Sequence, residues 1–139
     1  MQMPQQVRNS VVKCWLGLSL FGLLPGCGKP VTQPDLVGNY AADYSAANEK
    51  LTLLPDGKFT QQVTIKSSSQ VLTTNGMWSF DAADKRVTFH DSFFTVLDGF
   101  GQPKKQPEPG TAMLPVVSLY EDVQIGDDQP ITYKKQANP

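Results

Sequence analysis

Leu51-Thr52-Leu53-Leu54-Pro55-Asp56-Gly57-Lys58-Phe59-Thr60-Gln61-Gln62-Val63-Thr64-Ile65-Lys66 is the stretch that decides the fold. Its second half alternates. Phe59, Gln61, Val63 and Ile65 share one face, and Lys58, Thr60, Gln62, Thr64 and Lys66 share the other. Side chains on a strand point alternately to its two sides, so this is a strand with one dry and one wet face, as in an antiparallel sheet. Leu51 and Leu53 belong to a preceding strand. Pro55-Asp56-Gly57 between the two runs reads as a hairpin turn, because glycine supplies the positive φ that such a turn needs.

The same signal repeats outward. Val71 to Phe80 reads as a strand with Leu72, Trp78 and Phe80 on one face and Gly76 between them. Asp81 to Lys85 reads as a turn, and Arg86 to Asp91 alternates again with Val87 and Phe89 on the apolar side. At the front, Leu36 to Tyr44 reads as a first strand, with Leu36, Gly38 and Tyr40 together. At the back, Val116 to Ile125 and Ile131 to Lys135 read as two more, split by Gly126-Asp127-Asp128-Gln129-Pro130. Short strands at this spacing predict an all-β fold, a single antiparallel meander or small β-barrel of about seven strands. One β-domain over 35–135 is expected, long enough to bury a core without disulfides, with 136–139 as a tail. Small barrels are either filled by their own side chains or hold one ligand. Tyr40, Phe59, Trp78, Phe80 and Phe89 all need interior space, which predicts a filled one.

The chain opens differently. Arg8 and Lys13 precede an uncharged, mostly apolar block from Cys14 to Leu24. A basic segment followed by a short apolar one is the pattern of a secretion signal. The block is too short for a permanent transmembrane helix, which needs roughly 20 apolar residues. Leu24-Pro25-Gly26-Cys27 resembles the bacterial lipobox. That resemblance implies a signal peptide over 1–26, cleavage before Cys27 and a diacylglycerol on its sulfur, so that the membrane is the first partner. Residues 27–34 would then be the lipidated cysteine and a tether containing Pro30 and Pro34. Gly28 stands where an Asp often retains such lipoproteins in the inner membrane. This implies a lipid-anchored place in the cell envelope, on the periplasmic face of the outer membrane in a Gram-negative host. With Cys14 removed and Cys27 lipidated, no thiol is left to form a disulfide. The formal charge of −1 becomes mildly more negative once Arg8 and Lys13 leave. No basic stripe suits a nucleic acid.

Within the body, Gly38-Asn39-Tyr40, Leu51-Thr52-Leu53, Asp56-Gly57-Lys58-Phe59, Gly76-Met77-Trp78 and Val87-Thr88-Phe89 resemble the strand pattern of lipocalin-like small β-domains in bacterial lipoproteins. The resemblance covers residues 36–90. It implies a lipocalin-like barrel and, as one functional option, carriage of a small apolar ligand.

Motifs for chemistry are sparse. His90 is the one histidine and stands beside Asp91. A metal site or a hydrolytic centre built from His90, Asp91 and Asp98 would need these side chains to converge. Asp127-Asp128 lacks the alternating oxygen ligands of a calcium loop. No cofactor motif and no nucleophile motif stands in the sequence. The densest apolar segment is Phe93, Phe94, Val96, Leu97 and Phe100. Gly99 and Gly101 flank its end, and a polar, proline-rich run from Gln102 to Gly110 follows. These residues either plug the open end of the sheet or form an apolar lip. In the second reading Phe93, Phe94, Leu97 and Phe100 are the candidate surface for a ligand or an envelope protein. The expected function is a non-enzymatic binding or scaffolding module of the envelope, with a small-ligand carrier and a hydrolase as alternatives.

Overall fold

The computed structural model describes residues 29–119, 122–126 and 131–138. The expected signal segment, Cys27 and the turn expected at Asp127-Asp128 lie outside the described residues. One helical turn, α1 (Gln33–Leu36), leads into eight strands. They are β1 (Gly38–Asp43), β2 (Ala47–Leu53), β3 (Lys58–Ile65), β4 (Val71–Asp81), β5 (Arg86–Phe94), β6 (Pro109–Leu119), β7 (Asp122–Ile125) and β8 (Tyr133–Lys135). Each strand pairs antiparallel with the next, and β8 returns to β1 through Tyr40↔Lys135 and Ala41↔Lys134. The all-β expectation is met in its closed form, an up-and-down barrel with no free sheet edge.

The hairpin expected at Pro55-Asp56-Gly57 is present. Leu54 N–H donates to Lys58 O at 2.9 Å, and Gly57 carries φ +80° between β2 and β3. Phe59, Gln61 and Val63 face inward from β3, and Trp78 and half-buried Phe80 from β4. The outer wall carries Lys58, Thr60 and Gln62 from β3 and Thr73, Asn75 and Ser79 from β4, all exposed. A barrel facing lipid would need an apolar outer band instead. Among the described residues no helix is long and apolar enough to cross a membrane.

The back of the chain differs from the expectation. Val116 to Ile125 is not one strand: it holds the end of β6 and all of β7, which pair through Val116↔Ile125 and Ser118↔Val123. β6 starts at Pro109, within the run that reads as a loop. Pro109 and Pro115 obscure it, since proline lacks the N–H that a strand interior uses. β5 likewise runs on to Phe94, through an irregularity where Phe89↔Ala112 is followed by Phe93↔Gly110. Four steps on β5 oppose two on β6 there. The surplus is even, so Phe93 faces the interior just as Phe89 does. Asp91, with φ 60°, turns the chain at this point.

At the front, Leu36 ends α1 instead of lying on a first strand, and it is fully buried at one end of the barrel. Thr32 and Asp35 form a capping box, and the Tyr40 hydroxyl donates to Leu36 O at 2.7 Å. Val31, within the expected tether, packs on the same core. Four aromatic rings occupy the barrel's middle. Phe89 stacks on Phe93 with centroids 4.4 Å apart, Phe59 meets Phe89 edge-on at 5.1 Å, and Tyr133 meets Phe93 edge-on at 6.2 Å. Gly76, opposite Phe59 across β3 and β4, leaves room for its ring: a Cβ there would stand 2.8 Å from Phe59 Cε1.

Candidate functional site

An up-and-down barrel sorts its connections to two ends. α1, the Leu54–Gly57 turn and the Ala82–Lys85 turn share the end at which the chain enters. The Tyr44–Ala46 turn, the Lys66–Gln70 turn and the long Thr95–Glu108 connection share the other, the distal mouth. A second apolar cluster closes that mouth from inside: Ala47, Val63 and Val96, with Tyr44, Ile65, Leu72, Phe94 and Leu97 packed against it.

Between the two clusters lies a polar layer. Glu49, on the inner face of β2, is 2 % exposed, and Gln61, on the inner face of β3, is 0 % exposed. The Tyr44 hydroxyl donates to Glu49 Oε1 and the Tyr133 hydroxyl to Glu49 Oε2. Gln61 Nε2 also donates to Oε2, at 2.8 Å. The Gln61 amide then grips the Phe94 peptide, donating to its O at 3.0 Å and accepting from its N–H at 2.8 Å. It serves Phe94 as a neighbouring strand would, just past the irregularity in β5. Among the described residues every buried side-chain N or O has a hydrogen-bond partner.

Burial pushes the Glu49 carboxyl above its ordinary range, and the hydrogen bonds from Tyr133, Tyr44 and Gln61 pull it part of the way back. Burial, followed by the adjacent carboxylate, raises the Tyr44 and Tyr133 hydroxyls, so both remain donors. Glu49 joins β2 to β3, β8 and the Tyr44–Ala46 turn, and Gln61 carries the layer on to the end of β5 at Phe94.

The candidate surface residues separate. Phe93 is 3 % exposed within the aromatic core, so it is no part of a surface. Phe94 and Leu97 are half-buried against the mouth cluster, as the plug reading requires. Phe100 is 91 % exposed. It stands on an ordered hairpin tip: Leu97 bridges Pro103, and Asp98 Oδ1 accepts from the N–H groups of Phe100 and Gln102 at 2.8 and 2.9 Å. Plug and projecting tip are both present, in different residues.

His90, Asp91 and Asp98 are engaged separately. The His90 ring lies on the outer wall, 3.0 Å from Ser79 Oγ through Nε2. Asp91 Oδ1 accepts from the Thr111 hydroxyl, and Asp98 holds its own turn. Among the described residues no three His, Cys, Asp or Glu side chains are grouped to hold a metal ion. Sequence reasoning missed Glu49. The signal was available: continuing the alternation back from Leu53 and Leu51 places Glu49 and Ala47 on the inner face.

Clefts open at the rim and on the outer wall. One of about 390 Å³ lies at the distal mouth, lined by Ala46, Ile65, Val96, Lys104 and Lys105 among others. Others, of about 500 and 650 Å³, flank Lys29–Val31 at the opposite end. No family model, curated protein or solved structure matches this chain.

Proposed function

We propose that this chain is a lipid-anchored lipoprotein of the cell envelope, whose barrel is a non-enzymatic binding module working through its distal mouth. The carrying observation is topological: chain entry and the Thr95–Glu108 connection lie at opposite ends of the barrel. A lipid on Cys27 would hold the α1 end at the bilayer and turn the mouth, with Phe100 at its tip, toward the compartment. The short span from Cys27 to the Thr32 cap leaves little slack for another orientation.

The packed interior favours this reading over carriage of a small apolar molecule inside the barrel. Such a carrier needs an enclosed apolar space, and here Phe59, Phe89, Phe93 and Tyr133 fill it. The separate engagements of His90, Asp91 and Asp98 give a hydrolase reading no support.

The test is Cys27→Ala in the full chain, expressed in a Gram-negative host with labelled palmitate and followed by membrane fractionation. The parent should incorporate label and sediment with membranes, while the variant should be unlabelled and soluble. An unlabelled parent, or a variant that stays with the membrane, would overturn the anchoring.

A further inference from the structure

We propose that the cleft at the distal mouth binds a small amphiphilic anion, with its charge on Lys104 and Lys105 and its apolar part against Ala46, Ile65 and Val96. This names a ligand class for the binding module proposed above and rests on that reading. The cleft of about 390 Å³ lies between the turns after β1 and β3 and the Pro103–Pro107 segment. That is the size of a small-ligand site, for which about 300–1,000 Å³ is usual.

Among the described residues its lining has one sign of charge: Lys104 and Lys105 reach it, no carboxylate among those residues does, and Ser45, Ser67 and Ser68 bring hydroxyls. Lys104 is half-buried, and its ammonium donates to the neutral Thr95 hydroxyl at 2.8 Å. Neither lysine has an ion pair among the described residues. Lys66, which follows β3 near this end, is by contrast paired with Asp43 at 2.6 Å. A cation held at the edge of an apolar floor gains more from an anion than a freely solvated one does.

The floor decides the rest. Half-buried Ala46 and Ile65 offer the apolar surface, packed over Val96, which is itself buried beneath them. A neutral oil would leave both ammonium groups unpaired, and a bare inorganic anion would leave the floor uncovered. A chain with an anionic head satisfies both. Fatty carboxylates and lipid-derived phosphate monoesters share this chemistry.

All eight strands of the closed barrel lie between Gly38 and Lys135, so the chain from Gly28 onward carries the whole barrel and is the one used for calorimetry, once its cooperative melting has been checked. The probes are decanoate, decyl phosphate, decanol and inorganic phosphate. Saturable one-to-one binding of decanoate or decyl phosphate is expected, and whichever binds tighter identifies the head group. Decanol and phosphate should each bind about tenfold more weakly or not at all. Lys104→Gln/Lys105→Gln should weaken the anion about tenfold or more. Lys105→Gln alone, at an exposed position, should weaken it without moving the melting temperature. The proposal is overturned if no probe saturates, if decanol binds as well as decanoate, or if the lysine variants bind like the parent. Any of these results would leave palmitate labelling at Cys27 untouched, so failure of the ligand class is distinct from failure of the anchoring.

Discussion

Glu49→Leu removes the acceptor that three donors share. In the parent, the Tyr44 and Tyr133 hydroxyls and the Gln61 amide converge on its carboxylate. Leucine leaves them facing hydrocarbon, and an orphaned buried donor costs about 1–3 kcal/mol. The three do not suffer equally. Gln61 keeps Phe94 O as an acceptor. Tyr44 is half-buried and can turn toward water. Tyr133, 2 % exposed, has no such escape. A loss of about 3 kcal/mol follows for the whole replacement, well below three full penalties. Glu49→Gln keeps an oxygen acceptor, and the hydroxyls can rotate to accept from its amide, so a change within about 1 kcal/mol is expected at pH 7. Urea unfolding of the chain from Gly28, followed by Trp78 emission, reads both. The reasoning is refuted if Glu49→Leu is as stable as the parent.

The acid also sets a pH signature. Its folded pKa lies above the ordinary 4.5, chiefly through burial. Folding therefore shifts its equilibrium toward the neutral form relative to the unfolded chain. Its stabilising contribution is fully present below the unfolded pKa and is lost as pH rises through the folded one. Asp35 has the opposite sign, since its hydrogen bonds with Thr32 lower its pKa. Subtracting the Glu49→Gln curve from the parent's isolates Glu49. The difference should move in favour of the amide as pH rises from the ordinary glutamate range through the folded pKa.

Three further outcomes are expected. Gly76→Ala should destabilise the fold by about 1–3 kcal/mol in urea unfolding, because its Cβ meets the Phe59 ring at 2.8 Å in a filled interior. Phe93→Ala should cost about 3–5 kcal/mol, whereas Phe100→Ala should lie within about 0.5 kcal/mol of the parent by the same assay. Gly126→Ala should impair folding and broaden the thermal transition. Gly126 has φ +100°, and its added Cβ would stand 2.3 Å from Ile131 O, next to the strand that closes the barrel.

Much of the barrel was legible in period-two patterning. Phe59, Gln61 and Val63 face inward as read, and so do Trp78, Val87 and Phe89. The pattern failed where a residue broke the local rule for a tertiary reason. Pro109 and Pro115 concealed β6. The turn at Asp91 concealed the inward return of Phe93, and a helical turn took Leu36 out of the first strand. Glu49 is a charged residue on a dry face, which patterning alone treats as an error. Its partners Tyr44 and Tyr133 are 5 and 84 residues away, and closure of β8 onto β1 is what brings Tyr133 within reach. The mouth cleft joins turns far apart in the chain, so no local motif could carry it.

The central claim is that the barrel is full and that binding belongs to its mouth. Xenon enters dry apolar cavities and shows as strong, isolated density in pressurised crystals. The account predicts no ordered xenon among Phe59, Phe89, Phe93 and Tyr133. A well-occupied xenon site enclosed by those rings would contradict it and restore the barrel interior as the ligand chamber.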